Sequence, residues 1–241
     1  MTLRKVGLVV AVTLPLALGA CGSDDGSSAV SQATGRAGSA PGDADTSGAG
    51  AVPVPTLADG PDVCFRLITE QLGADIKAHE VLTSFSVPAD LDSTPVLIGD
   101  PPPAGELTTC TVKFQNPDDP KKLLEADFDT DTGTFSDPAP LELRVTGDAS
   151  EFDLEEHLIA LSAVDAAPLA AFMDQQLGSL DKAYSGHAWS GVRLMPPDRT
   201  SPTHFLRVDV DGRLASNDVL DTGYAELAVN GTEVVANRLV P

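Results

Sequence analysis

Residues 22 to 60 are built almost entirely from Gly, Ser, Ala, Asp, Thr, Val and Pro and contain no aromatic residue, and this tract constrains the fold more than any other. A stretch of that composition buries too little apolar surface to offset the entropy of ordering it. Residues 21–60 are therefore read as a disordered Gly/Ser/Ala/Asp-rich tether, stiffened at its end by Pro53 and Pro55. As a flexible chain it would span roughly 35 Å, taking about 5–6 Å times the square root of its length. What remains to fold is residues 61–241, enough for one sizeable core or two small ones.

The segment before the tether has three parts in a fixed order: a basic start at Arg4 and Lys5, an apolar run from Val6 to Leu18, and small residues before a cysteine. Thirteen apolar residues reach only about 20 Å as a helix, short of the roughly 30 Å hydrocarbon core, so the run is read as cleaved rather than spanning. Leu18-Gly19-Ala20-Cys21 resembles the lipobox of bacterial lipoproteins. That resemblance implies a signal peptide over residues 1–20, cleavage after Ala20, and acylation of Cys21 through its sulfur. Two acyl chains give stable attachment to the bilayer where one gives only reversible binding. The expectation is a lipid-anchored protein on the extracytoplasmic face of the cell membrane.

Charge limits its partners. The formal net charge is −21, and loss of Arg4 and Lys5 with the signal would take it to −23, that is −21 − 2. Such a chain lacks the cations needed to neutralise phosphates, which argues against nucleic acid and anionic polymers.

Within the folded part, Cys64, Leu67, Ile68 and Leu72 recur at helical spacing after Pro61-Asp62 and before Gly73. The proline-rich stretch from Val87 to Gly105 reads as an irregular excursion. Thr109 to Gln115 alternates, with Cys110, Val112 and Phe114 on one side, as a half-buried strand does. Asn116 to Asp119 is a turn, and Pro120 to Phe128 fits either a helix capped by Asp119 or a strand facing inward with Leu124, Ala126 and Phe128; the Asp-rich turn after it and the alternating run Leu141 to Val145 favour a hairpin. Phe152 to Ala163 and Pro168 to Tyr184 have helical spacing. Phe205 to Val210 reads as a strand closed by a tight turn at Asp211-Gly212. Asn230-Gly231 joins Ala225–Val229 to Glu233–Leu239, and that dipeptide between alternating runs is a strong hairpin signal.

Helix then strands, given twice, predicts an α+β fold with a mainly antiparallel sheet and a few packed helices. It leaves room for two similar halves, 61–150 and 151–241. Gln71-Leu72-Gly73-Ala74-Asp75-Ile76-Lys77-Ala78 echoes Gln176-Leu177-Gly178-Ser179-Leu180-Asp181-Lys182-Ala183, both copies falling at expected helix ends. Cys64 and Cys110 both take core-facing positions in an exported chain, so they are expected to form a disulfide.

Motifs for chemistry are thin. His79, His157, His187 and His204 are far apart in sequence, with no metalloprotease, nucleophile-elbow or phosphate-loop pattern. Ser179-Leu180-Asp181-Lys182 matches the SxxK pattern of penicillin-recognising enzymes but has no Lys-Thr-Gly beside it. Asp127, Asp129 and Asp131 invite a calcium reading. The loop that binds calcium wants glycine and glutamate where Thr132 and Pro138 stand, so a solvated hairpin tip is the plainer account. Tyr184, His187 and Trp189 form the one aromatic cluster able to line a site, against the plainer reading of a packed helix end.

The composition, rich in Ala, Asp and Gly with few Lys, resembles small envelope lipoproteins of high-GC Gram-positive bacteria. In these one cysteine falls early in a helix and another before a strand. The resulting expectation is a non-enzymatic binding or adaptor module at the cell envelope, contacting an envelope protein or small ligand and using no cofactor. The alternatives are a carrier of an apolar ligand or lipid and a cell-wall-acting enzyme.

Overall fold

The computed structural model describes residues 7–8, 52–92, 101–146, 150, 152–198 and 201–241. Leu18, Gly19, Ala20 and Cys21 lie outside the described residues, as does the tract from 22 to 51. Two α-helices, α1 (Val63–Gln71) and α2 (Leu169–Ala183), accompany one ten-stranded sheet in an α+β arrangement. Its strands are β1 (Lys77–Phe85), β2 (Leu107–Asn116), β3 (Asp119–Asp129), β4 (Thr134–Phe135), β5 (Ala139–Leu141), β6 (Ile159–Ala160), β7 (Tyr184–Met195), β8 (Phe205–Leu214), β9 (Leu220–Ala228) and β10 (Val234–Arg238). The order across the sheet is β10-β9-β8-β7-β1-β2-β3-β4, with β5 on β3 and β6 on β1, and every pair is antiparallel. A two-residue pairing of Gly7–Leu8 with Val145–Thr146 stands apart from this sheet.

Alternation along the strands sorts their side chains onto two faces. One face carries Val81, Cys110, Val112, Ala126, Val192, Leu194, Leu206, Val208, Ala225 and Leu227, all buried. These join Val63, Cys64, Phe65 and Ile68 of α1 and Leu169, Phe172, Met173 and Leu180 of α2 in a single core. Both helices therefore cover the same face. Cys64 Sγ and Cys110 Sγ lie at disulfide distance, 2.06 Å, joining α1 to β2.

The other face is polar and only partly covered. Leu91, Leu123, Leu154 and Phe205 are buried yet lie outside the main core. They mark where the segments around residues 86–92 and 152–157 fold back over the sheet.

The ordered chain begins before Pro61. Leu57 donates its amide to Gly105 O, and Leu107 donates to Pro55 O, so the end of the proline-containing tract is strapped to the start of β2.

Four local readings need correction. The strand paired with Pro120 to Phe128 is Ala139–Leu141 and not Leu141 to Val145, because Leu123, Leu124 and Glu125 take Leu141, Pro140 and Ala139 as their partners. Phe152 to Ala163 is not a helix: it forms two 3-10 turns, Leu154–His157 and Leu161–Ala163, around β6. The helical spacing there is overridden because Ile159 and Ala160 pair with the start of β1. Asp211-Gly212 is not a turn, since β8 runs through it to Leu214. A Cβ on Gly212 would sit 2.6 Å from the Tyr184 ring, so the glycine is there to let that ring lie against the strand. Tyr184, read as a helix end, opens β7. The Asn230-Gly231 hairpin does form between β9 and β10, with Gly231 at φ +67°.

Candidate functional site

The register of β7 and β8 sets Arg193 directly opposite Arg207 on the polar face. Two like charges in that position repel each other. Asp209, two residues along β8 and on the same face, answers both. Arg207 Nε donates to its Oδ1 at 2.7 Å, and Arg193 Nε lies 3.0 Å from its Oδ2. The second contact is bent away from hydrogen-bond geometry, which leaves Oδ2 buried without a donor. Asp209 itself is only 9% exposed. Opposite it in β7 stands Gly191, where a Cβ would come within 3.3 Å of Oδ2 and 3.0 Å of Thr83 O. A glycine at that point makes room for the carboxylate.

Between Asp209 and Val210 the register shifts, and Ser190 is the residue left over in β7. Bulges of this kind re-aim side chains and gather beside functional sites. Here Ser190 and Asp211 both line the same groove. Burial raises the Asp211 carboxyl above the usual aspartate range, with Asp209 and Asp92 adding repulsion and Arg193 opposing it. Arg207 also stacks on Tyr224, its Cζ 4.0 Å from the ring centroid, and Arg238 approaches the same ring at 5.9 Å.

Ser190, Arg193, Arg207, Asp209 and Asp211 form the floor of a groove of about 620 Å³, lined also by Asp92 and walled by Phe85 at the end of β1 and by Val87, Pro101 and Pro102 of the excursion after it. That volume lies within the roughly 300–1,000 Å³ typical of small-molecule sites. The wall is held in place from both sides. Arg213 Nε donates to Asp90 O at 2.8 Å, and the amides of Gly105 and Glu106 donate to Ser86 O and Ser86 Oγ.

The residues singled out from the sequence lie elsewhere. Asp127 and Asp129 end β3, where Asp127 accepts from Thr111 and Asp129 Oδ1 accepts from the amides of Asp131 and Thr132 at 2.8 and 3.2 Å. The Asp129 carboxylate shapes the turn, while that of Asp127 ties β3 to β2. Tyr184 is a core residue: its hydroxyl donates to Leu239 O at 2.9 Å and meets Asp221 Oδ2 at 3.1 Å. Burial, then Asp221, pushes that phenol up to about 12. The His187 ring lies 6.5 Å from that of Tyr184, and Trp189 packs on the core edge. Ser179 and Lys182 are exposed on α2.

The fold also gathers three of the dispersed histidines. His79 donates from Nδ1 to His157 O at 3.0 Å, the two rings lie 6.4 Å apart, and Phe152 stacks on His157 at 5.0 Å. His204 joins them, and burial followed by repulsion from His79 lowers it to about 4. His157 Nδ1 and His204 Nε2 are buried without a hydrogen-bond partner. Among the described residues no group of three or more His, Cys, Asp or Glu is arranged to hold a metal ion.

One signal for the groove was present in the sequence. Arg207 and Asp209 alternate with Leu206, Val208 and Val210 in the predicted strand Phe205 to Val210, so two charges share one face, while Asp211 was assigned to the turn after it. Their partner Arg193 carries no such mark. Family models, curated proteins and solved structures give no match to this chain.

Proposed function

We propose that the chain is a membrane-anchored extracytoplasmic lipoprotein acting as a non-enzymatic binding module, with the polar groove on the uncovered sheet face as its ligand site. One observation carries the binding site: two arginines and an incompletely satisfied buried carboxylate converge at the floor of a groove of about 620 Å³, in a chain of net charge −21. Opposed arginines and a buried orphan oxygen both cost stability. Such costs concentrate at sites where a ligand will offset them.

The anchor rests on the lipobox-like segment ending at Cys21. No helix among the described residues is long and apolar enough to cross a membrane, a fact compatible with attachment by lipid. Replacing Cys21 with serine is expected to move the protein from the membrane fraction to the soluble fraction. Retention in washed membranes would defeat the anchor.

The binding reading is tested by native mass spectrometry of the full chain, purified in mild detergent from its own host. Extra mass that denaturation removes is expected, and Thr222→Trp, which fills the groove from an exposed position, is expected to lose it. Equal bound mass in both proteins would move the site out of the groove.

An enzyme acting on cell-wall material is the second reading. It draws on Asp211, whose raised carboxyl stands two residues from Asp209 on the same strand face. A carboxyl raised by burial suits a general acid. An apolar-ligand carrier draws only on the Phe85, Val87 and Pro101-Pro102 wall.

The division into halves 61–150 and 151–241 is supported by a repeated order. A helix is followed by an antiparallel meander, α1-β1-β2-β3 and then α2-β7-β8-β9-β10, and the leading strands β1 and β7 pair at the sheet centre. The eight-residue echo differs between copies, since the first crosses the end of α1 and the second lies within α2.

A further inference from the structure

Taking the groove as the binding site, we propose that it holds a small polyhydroxylated anion: a sugar acid or sugar phosphate whose anionic group meets Arg193 and Arg207 and whose hydroxyls donate to Asp209 and Asp211. Four features of the floor define this class.

Asp209 engages both arginines through Nε, the inner edge of the guanidinium. The two side chains keep 39% and 31% of their exposure and line the groove. Guanidinium nitrogens held in this way suit the planar oxygens of a carboxylate or phosphate. Asp209 is thus a positioning residue, with Tyr224 stacking under Arg207 as a second support.

Asp209 Oδ2 is buried and has no donor, and an anion cannot supply one. A hydroxyl can. The ligand must therefore carry donors close to its anionic group: acetate has none, and inorganic phosphate has only the hydroxyl of the anionic group itself.

The groove is rimmed by the hydroxyl side chains Ser84, Thr108, Ser190 and Thr222. Their rotors can donate or accept, as a ligand with several hydroxyls requires.

The net charge of −21 repels anionic surfaces and polymers. Within the groove the two arginines share the lining with three carboxylates, Asp92, Asp209 and Asp211, so a small anion is held there only when its hydroxyls also meet Asp209 and Asp211.

Isothermal titration calorimetry of the full chain in neutral detergent at low salt tests this with five probes: glucuronate, glucose 6-phosphate, glucose, acetate and inorganic phosphate. At least one sugar anion is expected to bind saturably and about tenfold or more tighter than glucose, acetate or phosphate, in line with charge-assisted hydrogen bonds. The two sugar anions distinguish carboxylate from phosphate. Combined Arg193→Gln and Arg207→Gln is expected to remove about tenfold or more of that affinity, and Asp209→Asn to weaken it. Equal binding of glucose, no binding of either sugar anion, or an unaffected arginine variant overturns the proposal.

Should those variants fail to fold, NMR of the wild-type arginine Nε–Hε signals decides independently. Two of them should shift on saturation with the tighter sugar anion, and unmoved signals reject the assignment. The groove and the ligand class fail separately. A bound mass lost in Thr222→Trp without any sugar-anion binding keeps the groove and removes the class, whereas a bound mass retained in that variant removes the groove itself.

Discussion

Replacing Cys64 and Cys110 together with alanine is expected to lower the stability of the folded chain by about 4 kcal/mol, the loop-closure value for a bridge across 46 residues. That is a large share of the roughly 5–15 kcal/mol that holds a typical domain. The two residues are 0% and 2% exposed, so truncation of the sulfurs also leaves a small void between α1 and β2. Denaturant unfolding of the oxidised wild type against the double variant measures the difference. A shift below about 1 kcal/mol would mean that the bridge contributes little to holding α1 on the sheet. Because α1 covers the core face and the groove opens on the other, a variant that remains folded should keep its ligand. Coupled loss of stability and binding, under conditions where the variant is fully folded, would contradict that separation.

Acidification is expected to unfold the chain earlier than its carboxylates alone would dictate, because His204 is held neutral at about 4 against an ordinary value of 6.5. Between those two values the unfolded chain binds a proton that the folded chain does not, so stability rises with pH through that window and is lost as pH falls. The full difference is about 3 kcal/mol at pH 4. It is complete once the pH lies below the folded value. His79, also lowered by burial and 1% exposed, acts in the same direction.

Asp59, Asp119 and Glu155 have folded values depressed by their hydrogen bonds, so their contribution disappears only at still lower pH. Asp211, raised by burial, works the opposite way and is relieved on protonation. The histidine contribution is isolated by comparison with His204→Gln. Denaturant unfolding of both proteins from pH 7.5 to 4 should give a shallower decline in the variant. Parallel curves would show that the His204 environment does not survive in solution.

The pH window also bears on the groove. His204 immediately precedes Phe205, the first residue of the strand that carries Arg207 and Asp209. The charged floor and the histidine cluster thus hang on the same strand, and ligand binding is best measured near pH 7.5, where His79 and His204 are neutral.

Local pattern determined much of this protein. The helical spacing around Cys64 and Leu169, the alternation of Cys110, Val112 and Phe114, and the Asn230-Gly231 turn each specify their element because one side of it faces a core and the other does not. The two central strands escaped that logic. In β1, His79 and Thr83 are buried and polar while Leu82 lies on the polar face, so neither side reads as apolar. In β7, the run from Tyr184 to Gly191 is broken by two glycines, two serines and a bulge.

Charge balance and the core cysteines are likewise properties of the chain alone. Only the tertiary structure decided where chemistry could gather. Arg193 and Arg207 are fourteen positions apart and become neighbours through strand register. His79, His157 and His204 meet because β6 pairs with the start of β1, while β8 begins beside them. Asp211-Gly212 carries a strong turn signal, yet it stays extended because the Tyr184 ring occupies the space a side chain would need. Sequence pattern reports which face of an element avoids water, whereas a site depends on which faces meet, and that is settled by long-range pairing energy that no local window contains.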